Sequence, residues 1–282
     1  MSHFFTYADL HCDTLTLGSA TNFLQAKNAS ITLDKLVEGD CFLQCFAVYM
    51  RAGEGEDVFQ KYAAVYRNAL PVLKGAGIRG VLTVENGGFT QGESGALDRI
   101  KEAGVCVFGL VWNDENPLAH PHGTPCGLKS LGSRAVEGIC ARGIFPDVSH
   151  LSDVGAAETL EIARSYGVPV LATHSLSRTV CPNTRNLPDG LIKKIADSGG
   201  LIGVNFVRGF IGKAGIAAHV RRIVEVGGED IVALGTDFDG TENPLYRGAD
   251  ETPRFFEDLL RAGISPRVVE KLASKNVRRV FG

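Results

Sequence analysis

The 282-residue chain contains no long apolar run, and nothing in it approaches the ~18 consecutive apolar residues that would span a bilayer. Blocks of like charge are missing as well. The formal net charge is -3 and the pI is near 6.2, so no basic footprint for a phosphate backbone exists. Membrane and nucleic acid are therefore not expected as partners. The opening residues, MSHFFTYADLHCDT, have no basic flank leading into an apolar core, which points to a cytoplasmic protein without a secretory leader. Cys-x-x-Cys pairs are also lacking. Seven cysteines, an odd number, stand at 12, 41, 45, 106, 126, 140 and 181. They are expected to be reduced, with Cys41, Cys45 and Cys106 filling core and Cys12 on a strand but turned away from any site.

What is present fits one globular domain, residues 1–282, of the size usual for a single α/β barrel. Short apolar runs rich in β-branched residues alternate with longer segments of helical period, a pattern that predicts repeated βα units and a parallel sheet. Eight strands are expected, at 6–12, 41–49, 78–85, 105–112, 145–149, 169–173, 201–206 and 231–236. Helices are expected at 57–73, 94–103, 130–142, 153–166, 187–198, 216–226 and 253–262, and a short one at Leu33 to Glu38 within an otherwise irregular 15–40. Ser152 or Asp153 caps one of these helices. Glycines at 75 or 77, 104, 143 and 199–200 follow helical periods where a left-handed turn is needed. Residues 114–129 read as one long functional loop. The expected fold class is a (β/α)8 TIM-type barrel.

In such a barrel the reactive groups collect at the C-terminal ends of the strands. Strand one ends in Leu10-His11-Cys12-Asp13, and side chains two apart on a strand share a face. Strand three ends in Glu85-Asn86-Gly87-Gly88, a carboxylate after an apolar run whose burial calls for a cation. Strand five ends in Val148-Ser149-His150, strand six in Thr173-His174-Ser175, and strand eight in Gly235-Thr236-Asp237-Phe238-Asp239-Gly240. Any one of these is compatible with a polar residue capping a loop. Three histidines and three carboxylates on one rim point instead to divalent transition metal, because mixed nitrogen and oxygen donors suit Zn2+, Mn2+, Co2+ or Fe2+. Six ligands with room for water imply two ions, and Glu85 is the natural bridge. Two metals about 3.5 to 4 Å apart bring a bridging water close to ionising at neutral pH.

His11-x-Asp13, Glu85-Asn-Gly-Gly, Val148-Ser-His150, His174-Ser and Gly235-Thr-Asp237-Phe-Asp-Gly, taken in order, resemble the membrane (renal) dipeptidase family, peptidase family M19 of the amidohydrolase superfamily. Cys181-Pro-Asn-Thr-Arg185-Asn-Leu-Pro-Asp189 and the tail Asn276-Val-Arg-Arg-Val-Phe281 extend the resemblance over nearly the whole chain. It implies that His11 and Asp13 hold one zinc, that His150 and His174 hold the other, and that Glu85 bridges them. It further implies that a hydroxide between the metals attacks the peptide bond of a small dipeptide, that Asp237 handles the proton, and that Arg185 grips the substrate carboxylate. A pairing of Arg185 with Asp189 on the surface is the alternative for that arginine.

Animal relatives carry a substrate-contacting histidine where this chain has Trp112, its only tryptophan, and a tyrosine where it has Val207. Trp112 is expected to wall the pocket or to pack in the core, and Asn113 to supply a polar contact to substrate. Gly87-Gly88 either lets a loop approach the ligand or serves only the turn. His3 and His219 are expected to be solvated, His120 and His122 either to line the pocket from the long loop or to be ordinary surface histidines, and Asp239 to orient its loop or Asp237. The substrate's stereochemistry, including a D-residue at its C-terminal side, stays open, as does assembly into a homo-oligomer. Rival readings are a sister hydrolase of N-acyl amino acids or phosphoesters, such as the TatD type, and a non-catalytic metal- or ligand-binding barrel. Asp13 in place of a second histidine, and few basic residues near the rim, favour amide cleavage.

Overall fold

The computed structural model describes residues 5–17, 23–26 and 28–282. Eight parallel strands close into a barrel in sequence order: β1 (Tyr7–Asp9), β2 (Cys41–Tyr49), β3 (Arg79–Glu85), β4 (Val105–Gly109), β5 (Phe145–Asp147), β6 (Leu171–Ala172), β7 (Leu201–Val204) and β8 (Val232–Leu234). β1 closes the ring against β8 through Asp9 and Leu234. This is the expected (β/α)8 barrel. Several strands are shorter than the apolar patterns suggested, because ladder pairing stops where the chain flares into the rim loops. Beyond β1, for example, only an isolated bridge between Cys12 and Phe238 remains.

The helices that cover the barrel are α1 (Leu33–Glu38), α2 (Glu56–Gly75), α3 (Ser94–Glu102), α4 (Ser130–Ala141), α5 (Asp153–Tyr166), α6 (Asp189–Asp197), α7 (Arg208–Ile211), α8 (Ile216–Gly227), α9 (Thr252–Arg261), α10 (Pro266–Glu270) and α11 (Asn276–Phe281). Local chemistry sets their ends. Ser152 Oγ accepts from the Gly155 amide at 3.0 Å to start α5, and Gly167, at φ 64°, stops it ahead of Pro169. The sequence pattern had indicated neither α7 nor the C-terminal α10 and α11. Each is a turn or two long, too short for a 3.6-residue period to declare itself.

Two apolar layers result. One lies between strands and helices. The other takes Leu43, Cys45, Val81, Val107, Leu171, Leu201 and Ala233 from different strands, together with Val277 and Phe281 of α11. That composition marks the barrel lumen, stoppered at its N-terminal end by the last helix. Asn276 fixes the stopper, since its Nδ2 donates to the Glu229 and Val232 carbonyls at 2.8 Å each.

Two expectations are corrected. His219 is not solvated but fully buried on α8; its Nδ1 accepts from the Ser177 amide at 3.1 Å and its Nε2 lies 2.9 Å from the Ile211 carbonyl. Its place in register with Ile216 and Ile223 puts it on the inner face of the helix. Cys106 is partly exposed rather than core, although all seven cysteines are unpaired, as expected. His3 lies outside the described residues. No described helix is long and apolar enough to cross a membrane.

Candidate metal centre

Six side chains meet at the C-terminal rim, each delivered by a strand end: His11 and Asp13 beyond β1, Glu85 closing β3, His150 beyond β5, His174 beyond β6 and Asp237 beyond β8. His150 and Asp237 adopt left-handed backbone, at φ 69° and 61°, and so does Asn86 directly after Glu85, at 64°. Non-glycine residues there carry strain of order 1–3 kcal/mol, which persists where the surroundings dictate the conformation.

Glu85 stands between two donor sets. Its Oε2 lies 3.6 Å from His11 Nε2, and its Oε1 lies 2.9 Å from His150 Nε2 and 3.7 Å from His174 Nε2. His11 Nε2 is in turn 3.5 Å from Asp13 Oδ2 and 3.9 Å from Asp237 Oδ1. His11, Glu85 and His174 form one cluster with ligating atoms close enough to share an ion, and His11, Asp13 and Asp237 form another.

The hydrogen bonds define which ring nitrogens face inward. His150 Nδ1 donates to Asn113 Oδ1 at 2.9 Å. Thr173 Oγ1, whose own proton goes to Asp147 at 2.5 Å, accepts from His174 Nδ1 at 2.8 Å. Both Nε2 atoms therefore carry lone pairs, and these point at each other across 2.9 Å. Two facing lone pairs repel unless a cation lies between or beside them. His11 Nε2 and Asp13 Oδ1 are buried and have no hydrogen-bond partner among the described residues, an arrangement that costs stability unless something charged completes it. The donor set suits a divalent transition metal.

Electrostatics agree. Burial pushes the Asp237 carboxyl up to about 8, with the Asp13 and Glu85 carboxylates adding to it and His11 opposing. Burial and Glu85 push Asp13 up to about 6. Burial raises Glu85 as well, but the His11 imidazole outweighs it and holds that carboxyl well below its usual range. Burial and the Arg185 charge hold His150 down to about 3, while burial and His11 keep His174 well below the ordinary imidazole value. Burial opposes a charge on His11, but Glu85 and Asp13 outweigh it and raise that imidazole well above its ordinary value, so one cationic ring faces the three acids in a place that suits a metal ion.

Arg185 is buried, and among the described residues it pairs with no carboxylate. Its Nη1 donates to Ser175 Oγ and its Nη2 to the His174 carbonyl, both at 3.2 Å, while Nε has no partner among the described residues. Asp189, the surface partner considered for it, pairs with Arg222 instead at 2.5 Å. Arg178 is committed elsewhere, gripping both carboxylate oxygens of Asp153. Trp112 walls the site: its ring packs edge-on against Tyr49, with centroids 5.1 Å apart, and lies 6.2 Å from the His150 ring. The Oδ1 of Asn113 is taken up by His150 and, at 3.2 Å, by His122 Nε2.

His122 departs from the surface reading. Its amide donates to the His150 carbonyl at 2.7 Å, its Nδ1 lies 2.9 Å from Thr184 Oγ1, and its ring is only half exposed. The loop 119–128 thus runs as a strap beside 150–152, with a bridge between Pro121 and Leu151. His120 stays at the periphery, near Gly127 and Glu115. Gly87 and Gly88 serve packing, since a Cβ on Gly87 would enter the Phe108 ring and one on Gly88 would press on Asn116. Asp239 orients its loop, accepting from Thr14 Oγ1 at 2.5 Å and the Ser30 amide at 2.7 Å. Gly240, whose reason the sequence did not disclose, leaves room where a Cβ would strike both Asp13 Oδ2 and Asp237 Oδ1.

Barrel and rim together define a (β/α)8 barrel with a candidate metal centre at the C-terminal ends of its strands. The family model for membrane dipeptidases (peptidase family M19) matches residues 67–282, and the chain belongs to that family. It is 33% identical over 221 residues to an uncharacterized protein of the pqqA 5′ region of Klebsiella pneumoniae, covering 71% of this chain and 80% of that protein. Mouse dipeptidase 3 is 28% identical over 218 residues, 71% of this chain and 43% of the mouse protein. Among solved structures, the M19 metallopeptidase dipeptidase AC superposes with a TM-score of 0.87 at 23% identity over 98% of both chains. A Rhodobacter sphaeroides metallopeptidase, liganded with a phosphinate mimic of L-Ala-D-Ala, superposes with a TM-score of 0.86 at 21% identity, again over 98% of both.

Proposed function

We propose that the chain is a binuclear zinc dipeptidase that hydrolyses small dipeptides. The observation that carries this reading is the division of the Glu85 carboxylate, with one oxygen toward His11 and the other toward His150 and His174. His11 and Asp13 would hold one ion, His150 and His174 the second, and Glu85 both. When bound, the pair would supply Lewis acidity and an acidic water.

The chain's own residues account for the rest. Arg185, a buried cation with a free Nε, anchors the carboxylate of the substrate's C-terminal residue beside His174. Trp112, packed edge-on against Tyr49 and lying 6.2 Å from the His150 ring, bounds the site on the His150 side. Asp237 takes a proton on Oδ1, the oxygen that faces His11, and returns it to the leaving nitrogen. The complex of the Rhodobacter sphaeroides protein with an L-Ala-D-Ala mimic supports including D-residues at the C-terminal position. Screening zinc-loaded protein against L,L- and L,D-dipeptides, N-acyl amino acids and phosphodiesters tests the assignment. Turnover confined to dipeptides is expected, and turnover confined to phosphodiesters or N-acyl amino acids would overturn it.

A further inference from the structure

Two buried aspartates outside the donor set make the same hydrogen bonds, atom for atom, on opposite sides of the barrel. On β1, Asp9 Oδ1 accepts from the His11 amide at 3.2 Å and the Thr236 amide at 2.8 Å, and its Oδ2 accepts from Thr236 Oγ1 at 2.7 Å. On β5, Asp147 Oδ1 accepts from the Ser149 amide at 2.9 Å and the Thr173 amide at 3.0 Å, and its Oδ2 accepts from Thr173 Oγ1 at 2.5 Å. Each carboxylate binds the turn of its own strand end to a threonine on the neighbouring strand. That threonine immediately precedes a rim residue: Thr236 before Asp237, Thr173 before His174.

The two threonines use their hydroxyls differently. Thr236 Oγ1 accepts from the Phe238 amide at 3.1 Å, bracketing Asp237 in its left-handed turn. Thr173 Oγ1 accepts from His174 Nδ1 at 2.8 Å, so a carboxylate, a hydroxyl and an imidazole form a chain that ends at the inward-facing Nε2. With its proton committed to Asp147, the hydroxyl can only accept from the ring, which fixes the tautomer. A carboxylate behind a ligating histidine is the usual way to orient the ring and raise its basicity. Here the threonine hydroxyl transmits that influence.

We infer that Asp147 acts through Thr173 as a positioning residue that sets the metal affinity of His174, and that Asp9 acts through Thr236 as its counterpart for the turn carrying Asp237. The first half rests on the metal-site reading above. The test is zinc titration of metal-stripped protein in competition with a chromophoric chelator, comparing wild type, Thr173→Val and Thr173→Ser. Valine keeps the shape of threonine without its hydroxyl, and serine keeps the hydroxyl. Thr173→Val is expected to weaken one zinc-binding step by about 10- to 100-fold and to leave the other unchanged, with Thr173→Ser close to wild type. Wild-type constants in Thr173→Val, or equal damage in Thr173→Ser, would overturn the inference.

If wild type takes up a single zinc, the binuclear reading fails, and the inference is then judged on that one constant in the same way. Nitrogen-15 spectra of histidine-labelled wild type provide a reading that does not depend on a variant folding. His174 is expected to carry its proton on Nδ1 with zinc bound, and a proton on Nε2 in its place would contradict the chain of bonds.

Discussion

The Arg185 guanidinium donates to the carbonyl of His174 at 3.2 Å, so the buried cation is tied to the main chain of a residue in the candidate metal centre. The distance from any anion held by Arg185 to the rim is therefore fixed by the backbone rather than by a flexible side chain. Arg185→Met is expected to raise KM for a free-acid dipeptide by far more than for its C-terminal amide. The lost contact is a charge-assisted one, worth about 1.5 to 3 kcal/mol. Equal increases for acid and amide would remove Arg185 from substrate binding.

Asp237 faces His11 at 3.9 Å and is locked at φ 61°. Its exchange for asparagine preserves shape but removes the ability to hold a proton and release it. Asp237→Asn should cut kcat roughly 10²- to 10⁴-fold while zinc content, measured by elemental analysis, stays at the wild-type level. Near-normal turnover would exclude Asp237 from proton transfer.

The same carboxyl makes the metal-free protein sensitive to pH. Its ordinary value of 3.8 rises to about 8 in the fold, so the folded state binds this proton more tightly than the unfolded chain does. The stability it contributes is fully present below about pH 4 and is lost as pH climbs through about 8. Thermal melting of metal-free wild type should therefore fall relative to metal-free Asp237→Asn between about pH 4 and pH 8, and zinc should shrink the difference. Parallel melting curves for the two proteins would show that this burial does not govern the site.

Gly240 lies against two carboxylates, and a methyl group there would displace both Asp13 Oδ2 and Asp237 Oδ1. Gly240→Ala should weaken zinc binding by about 10- to 100-fold, the range for disturbed ligand support, with little change in far-ultraviolet circular dichroism. Unaltered zinc affinity would mean that the loop yields freely.

The barrel was legible in the sequence because short apolar runs alternate with helical periods and several of them run directly into polar residues at the rim, with β3 closing on Glu85 the clearest case. The same ends exposed His11, Asp13, His150, His174 and Asp237, since acids and imidazoles directly after apolar runs have few other uses. Asp9 and Asp147 escaped notice because a buried aspartate inside a strand looks the same whether it caps a turn or holds a neighbouring threonine. Only the closed sheet brings Thr236 to Asp9 across 227 residues. His219 was misread because flanking arginines suggested a wet face, whereas register with Ile216 and Ile223 buries it. His122 reaches the site through a strap whose path depends on one bridge to Leu151, which no local pattern encodes.

The central claim is that Glu85 serves two ions at once, and metal content per chain tests it most directly. Elemental analysis after zinc loading and removal of free metal should give about two zinc ions per wild-type chain, as a bridged pair requires, and Glu85→Ala should lose both. One zinc or fewer in an active wild-type protein would contradict the claim, and so would a Glu85→Ala variant that lost only one of two.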